Sequence, residues 1–353
     1  MVKRDHFYHI AKNIIVNIVF LVTFVLLSEL IIRVYYARKS IFKPKIFISK
    51  VVLFNKKCTT RCPYPYIMFK GKSNIGEHNS QGFRFDEKIN SKSLKVAFFG
   101  GSTGYNGDLP IPILLSKFGS ISTGKDLNFL NFSVVSSNHN QHLHSLLEQS
   151  KLYEIDLVVF YGGYNETIQS AYYDKRPGYP YNFDIVNESS PELQILYKNS
   201  LLFRHFYRRA NNLKNKNNLL QRLLISRTEL QPFSKNWNKE IKSNYFDTLA
   251  LARKISSSIS TGRCKIPFLA IYQPYNYKHP SIPSIFIEGV HSPIVQKTNL
   301  EKYYIDVSGI IPTNSVLYTD IVHLNQEGRR IVARAIVEDE KFNQVIKSCE
   351  NKK

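Results

Sequence analysis

The chain has 353 residues, 43% of them hydrophobic and 13% aromatic, with a formal net charge of +21. That apolar share suits a packed core and excludes global disorder, and the length fits one large domain or two modest ones. So positive a balance can serve nucleic acid, an anionic membrane surface or an acidic polymer. Zinc-finger spacing and an aromatic-basic RNP pattern are both missing, so no nucleic-acid partner is expected.

Residues 1–12 form a basic tail with Lys3, Arg4 and Lys12. Residues 13–33 are mostly apolar, and roughly twenty such residues match the length of a bilayer-spanning helix. Asn17 and Glu29 interrupt the run, Glu29 close enough to its end for a carboxylate to reach the interface. Arg33, Tyr35 and Tyr36 give the basic and aromatic flank of a membrane boundary. No small-residue cleavage site follows, so the segment reads as an uncleaved signal anchor. Lys and Arg flank it on both sides, more of them after it. Counted literally, that pattern holds the large domain in the cytoplasm. The short basic tail and the nearby Cys58/Cys62 pair point the other way, and export of the large domain is the expectation.

Residues 34–78 read as a linker and lead-in, broken by Pro44, Pro63 and Pro65. The four cysteines are Cys58, Cys62, Cys264 and Cys349. Cys58 and Cys62 are close enough to bridge a small loop, and an even count permits disulfides in an oxidising compartment. No paired Cys/His cluster completes a zinc ligand set. Cys264 and Cys349 read as free thiols.

A turn-rich lead-in, His78 to Asp86, precedes a buried strand, Val96 to Phe99, that stops at Gly100-Gly101-Ser102-Thr103-Gly104. The two glycines allow a tight turn, and a hydroxyl then stands where open α/β sheets place their chemistry. A P-loop does not fit, because no Gly-Lys-Ser/Thr follows at the required spacing. A second apolar run, Leu127 to Val135, ends at Ser136-Ser137-Asn138, with helix-like sequence from Gln141 to Leu152. A third, Ile155 to Tyr161, ends at Gly162-Gly163-Tyr164-Asn165-Glu166. A fourth, Ile266 to Tyr272, ends at Gln273-Pro274 and follows a helix-like stretch, Phe246 to Ile259. Strands alternating with helices predict a parallel sheet covered on both faces. Residues 168–240 break the rhythm with a Tyr/Pro/Gly-rich loop (Tyr172 to Phe183) and basic helix-like sequence. They read as an insertion or lid that brings Arg204, Arg208 and Arg209 to the active edge.

Near the end stands Asp320-Ile321-Val322-His323-Leu324-Asn325. Asn325 can cap the helix that follows. At a spacing of three, a turn can fold the Asp320 carboxylate onto the His323 imidazole, fixing its tautomer and leaving the other nitrogen as a base. Ser102 is the hydroxyl such a base would activate. Oxyanion donors are expected from the Ser102 amide, the Ser136 amide or nearby Gly163, and the Asn165 side chain.

These blocks together resemble the SGNH hydrolase superfamily (GDSL-like esterases and acylhydrolases), and more closely its membrane-anchored bacterial members. Gly100-Gly101-Ser102-Thr103 stands at the Gly-Asp-Ser nucleophile block, with Gly101 for the Asp. Asn131 to Ser136 matches the second block, Ser136 replacing its oxyanion Gly. Gly163-Tyr164-Asn165-Glu166 matches Gly-x-Asn-Asp, with Glu166 for the Asp, and Asp320 to His323 matches the closing Asp-x-x-His. The lead-in Asn79-Ser80-Gln81-Gly82-Phe83-Arg84 is also similar.

The resemblance implies a flavodoxin-like three-layer αβα sandwich over residues 79–345, preceded by one transmembrane helix in a bacterial inner membrane. It also implies ester hydrolysis through an acyl-enzyme. Ser102 is the nucleophile, His323 the base and Asp320 its orienting partner, with no metal and no organic cofactor. Relatives often act on acylated carbohydrates, so an acetyl or other short acyl ester on a cell-surface glycan is the expected substrate. Acyl transfer to a polysaccharide by the same triad, and a non-catalytic glycan-binding or assembly role, are the alternatives.

Overall fold

The computed structural model describes residues 2–41, 59–86, 90–169, 176–181, 183, 196, 199–212 and 234–350; side chains are described for 13–35 of the first span and 199–206 of the insertion. The chain divides into two compact units. One comprises Met1–Lys57 with Asp184–Arg227, the other Cys58–Phe183 with Thr228–Lys353.

In the larger unit, an antiparallel hairpin pairs β1 (Cys62–Tyr64) with β2 (Met68–Lys70). It lies within the stretch read from sequence as linker, and Pro63 is tolerated because so short a ribbon is all edge. The main sheet has five parallel strands. They are β3 (Leu94–Gly100), β4 (Leu127–Asn131), β5 (Leu157–Gly162), β6 (Phe268–Tyr272) and β7 (Tyr304–Asp306), ordered β4-β3-β5-β6-β7. Renumbered within the sheet this is 2-1-3-4-5, the flavodoxin-like order, whose switch point lies beside β3.

Both faces are covered, which is why the strands read as continuous apolar runs. On one face Ala97, Phe99, Val158 and Phe160 pack against the helix Lys235–Ile259, whose Trp237, Ile241, Tyr245 and Leu249 form its buried stripe. On the other, Val96, Phe98, Val159 and Ile271 meet helices Ile111–Thr123, Gln326–Glu338 and Glu340–Lys347. The helix beginning at Lys235 shortens the expected insertion, because its first turns already belong to this core. Of the loop Tyr172 to Phe183, residues 176–181 and 183 are described.

Cys264 and Cys349 are not free thiols. They form a disulfide 85 positions apart, both sulfurs buried, which staples the C-terminal helix to the segment entering β6. Arg263 adds to the same seam, bonding Asp156 Oδ2 at 3.1 Å and the Glu350 carbonyl at 3.2 Å. Cys62 is also disulfide-bonded; Cys58 lies outside the described residues.

The smaller unit contains a long helix, Val2–Ile41, whose segment Asn13–Tyr35 is long and apolar enough to cross a membrane. Its Glu29 has a defined partner. The carboxylate accepts the backbone N–H groups of Leu201 and Leu202 and the Ser200 hydroxyl, each at 2.8 Å, and pairs with Arg33 at 2.9 Å. Glu29 therefore caps the helix Leu201–Asn212, an anion at a helix N-terminus. The Arg208 and Arg209 side chains lie outside the described residues.

Removing the long-range disulfide with Cys264→Ser/Cys349→Ser should lower stability by about 2–4 kcal/mol. The readout is a lower urea midpoint under non-reducing conditions, with a steeper slope because the uncrosslinked unfolded chain exposes more surface. An unmoved midpoint would mean that the pair is not bridged in the native protein.

Candidate active site

The site is assembled from the carboxyl ends of β3, β4 and β5 and one closing loop. Strand β3 stops at Gly100, and Ser102 opens a single helical turn, Ser102–Tyr105. The glycines here are required by contact. A Cβ on Gly101 would lie 2.4 Å from Asn165 Nδ2, and one on Gly104 would lie 2.6 Å from Ser133 Oγ. Position 101 thus has no room for a side chain beside Asn165. Buried Arg84 braces the end of this turn, donating to the Tyr105 carbonyl at 2.5 Å and pairing with Glu77 at 2.6 Å. This gives the lead-in block its structural role.

After β4, Ser136 holds φ +67°. A non-glycine residue there costs about 1 kcal/mol, and it is the conformation a glycine would take freely. Ser136 therefore stands in for the glycine of the second block by adopting its backbone. Ser137 pins the turn, its Oγ lying 2.7 Å from the Val134 carbonyl and 2.8 Å from His142 Nε2. After β5, Asn165 Nδ2 donates to the Ser137 carbonyl at 2.7 Å. A side-chain amide carries two hydrogens, so one remains for a ligand.

The closing loop is self-contained. Asp320 Oδ1 accepts the amides of Val322 (2.8 Å) and His323 (2.7 Å), while Oδ2 lies 2.6 Å from His323 Nδ1. Thr319 N–H to the His323 carbonyl, 2.8 Å, shuts the turn. Asn325 Oδ1 then caps the helix Gln326–Glu338 through Gly328 N–H at 2.9 Å. His323 Nε2 lies 2.7 Å from Ser102 Oγ. Burial pulls the Asp320 carboxyl upward, but the His323 and Val322 amides and the His323 ring outweigh it and hold it below the ordinary carboxylate range. An ionised Asp320 on Nδ1 makes that nitrogen the protonated one and leaves the Nε2 lone pair facing the serine hydroxyl.

The structure thus brings Ser102, His323 and Asp320 into one hydrogen-bonded row, with Asn165 beside Gly101. Among the described residues, the Ser102 and Ser136 amides donate to no protein acceptor. Gly163 does not serve as sequence reading expected. Its N–H is taken by Glu166 Oε2 at 2.5 Å, because the longer carboxylate in place of the Asp reaches back over the turn. Glu166 is fully buried, which pushes its carboxyl up to about 7, and burial drives His142 down to about 3. Sequence reading also missed Gln273, whose side-chain oxygen accepts from Thr103 Oγ1 at 2.8 Å while its backbone N–H donates to the Gly162 carbonyl. The polar end of β6 was the signal for it. A small cavity beside His323 is bounded by Thr103, Ile111, Tyr161, Val322 and Arg329.

The 2-1-3-4-5 parallel sheet, covered on both faces, carries this serine row and asparagine at its switch point, a flavodoxin-like α/β arrangement. No family model and no curated protein matches the sequence. Among solved structures it is similar to a member of the lipolytic protein G-D-S-L family from Veillonella parvula DSM 2008, at 11% identity and TM-score 0.37 over 70% of this chain and 98% of that one. It is also similar to the lipase Lip_vut3 from a goat rumen metagenome, at 14% identity and TM-score 0.41 over 69% and 96%.

Gly101→Ala should push Asn165 away from the serine and copy most of the effect of Asn165→Ala. The expected loss is about 10²–10³ in kcat for p-nitrophenyl acetate, the size of one oxyanion donor, with circular dichroism unchanged. Wild-type rates in both variants would remove Asn165 from the site.

Proposed function

We propose that this chain is a membrane-anchored serine ester hydrolase that removes short acyl groups, acetyl first, from a cell-surface carbohydrate. The observation that carries the reading is the row in which His323 lies 2.7 Å from Ser102 Oγ and 2.6 Å from Asp320. A hydroxyl is a weak nucleophile until a neighbouring base takes its proton, and this geometry supplies the base.

In the proposed reaction, Ser102 Oγ attacks the ester carbonyl carbon as its proton passes to His323 Nε2. Negative charge then builds on the carbonyl oxygen, toward the Ser102 and Ser136 amides and the second hydrogen of Asn165 Nδ2. His323 returns the proton to the departing alcohol oxygen, leaving the acyl group on Ser102. Water, deprotonated by the same nitrogen, attacks that ester and releases the acid. Asp320 remains ionised throughout and holds the imidazolium.

The choice of a short acyl group is supported by the sequence resemblance. The apolar helix at residues 13–35 supports anchoring. The Cys264–Cys349 disulfide supports an oxidising location and hence an exported hydrolase domain. A glycan substrate is supported by the sequence resemblance alone.

Full-length protein in detergent tests the reading. A fluorophosphonate probe should label the wild type and not Ser102→Ala. Hydrolysis of p-nitrophenyl acetate and acetate release from acetylxylan should fall at least about 10⁴-fold in the variant, with an unchanged melting temperature. Equal activity in Ser102→Ala would sink the mechanism. Esterase activity without acetate release from the polysaccharide would sink the substrate class alone.

A further inference from the structure

Behind the oxyanion turns lies a polar cluster that the ester chemistry does not use. His139 and His142 stand at the start of the helix His139–Gln149, three apart and on one side of it, and Glu166 follows Asn165. All three are buried, the histidines to 1% exposure. Their inward-facing ligand atoms converge. His139 Nδ1 is 3.2 Å from His142 Nδ1 and 3.2 Å from Glu166 Oε1, and all three atoms lie within 4.8 Å of one another.

Hydrogen bonding alone accounts poorly for this arrangement. The single hydrogen of Ser137 Oγ goes to the Val134 or Gly100 carbonyl, so that oxygen accepts from His142 Nε2–H. His142 Nδ1 is therefore a lone pair. Glu166 Oε1 is buried 3.2 Å from His139 Nδ1 without a well-aligned hydrogen bond, and His139 Nε2 is buried with no partner among the described residues. One hydrogen on His139 Nδ1 would have to serve both a lone-pair nitrogen and a carboxylate oxygen. Such orphaned groups cost about 1–3 kcal/mol each when buried. A cation at the common point would serve all three ligand atoms at once. Zinc holds imidazole nitrogen and carboxylate oxygen at about 2.0–2.2 Å, which puts neighbouring tetrahedral ligands about 3.3–3.5 Å apart, close to the 3.2 Å that separates His139 Nδ1 from each of the other two ligand atoms.

We propose that His139 Nδ1, His142 Nδ1 and Glu166 Oε1 hold one divalent transition-metal ion, zinc by the chemistry of the ligands. Two groups fix the ligands from outside, as metal sites require: Ser137 Oγ on His142 Nε2, and Gly163 N–H on Glu166 Oε2. A small cavity bounded by Asn138, Asn140, Tyr245 and Thr248 reaches His139 and Glu166 and gives room for a water as fourth ligand. The site contains none of Ser102, His323 or Asp320, so the ion is structural. It ties the Ser136–Ser137 turn to the Asn165 turn, the two that carry the oxyanion donors. The inference does not rest on the ester hydrolase reading.

The test uses full-length protein, without a histidine tag, purified in detergent without chelators. Elemental analysis should find about one zinc per chain in the wild type and in Ser102→Ala. It should find less than about a tenth of that in His139→Ala and in Glu166→Gln, which keeps the volume of the side chain. Dipicolinate should lower the wild-type melting temperature, and added zinc should restore it; the Glu166→Gln protein should respond to neither. The restoration on the wild type stands even if a variant fails to fold. Wild-type protein with no bound metal and no zinc-dependent melting shift would overturn the proposal. So would undiminished zinc in the two ligand variants.

Discussion

The hydrogen bond from Asn165 Nδ2 to the Ser137 carbonyl, 2.7 Å long, is the constraint on which the site depends. It joins the turn after β5 to the turn after β4, and it does so directly over the backbone of Gly101, where β3 ends. Three adjacent parallel strands deliver their carboxyl ends to one place, but parallel pairing alone fixes only their register. The bond fixes the loops beyond the ladder. It explains why position 101 has no side chain and why Ser136 tolerates a left-handed backbone. It also explains why Ser137 is buried among acceptors rather than exposed to a ligand.

The other half of the site is built differently. Asp320 spends one carboxylate oxygen on two backbone amides of its own loop and the other on the imidazole. The loop is thus preformed by its own sequence. It needs the sheet only to bring it to Ser102, which the helix Gln326–Glu338 does by packing Val332, Ala333 and Ile336 into the core. Catalytic geometry of this kind separates the cost of shaping the base from the cost of placing it.

Much of this was legible in the sequence, because the informative residues sit at junctions between apolar runs and polar turns. Ser102, Asn165 and the Asp320–His323 pair could be read from their positions, and the Asn325 cap from its place before the helix. What was missed depends on reach. Gly163 was assigned as a donor because residue type does not reveal that Glu166, one methylene longer than Asp, folds back onto its amide. Cys264 and Cys349 pair across 85 positions, a separation that no local spacing rule addresses. Strand β7 is three residues long, too short to show a period. The helix at Lys235 begins in polar sequence, and its core stripe of Trp237 and Ile241 is visible only against the sheet. His139 and His142 read as ordinary helix residues until Glu166, 24 or more positions later, is brought beside them.

The Glu29 cap changes what the N-terminal helix is for. Its carboxylate occupies the backbone donors of Leu201 and Leu202, so the apolar segment and the inserted helix share one polar junction. A chain trimmed to begin after this helix would leave those amides without their acceptor. Loss of a cap costs about 1 kcal/mol, a large share of what a twelve-residue helix holds on its own. The N-terminal helix is therefore a folding partner of the insertion, and the trimmed and complete proteins would differ in how the inserted helix holds together.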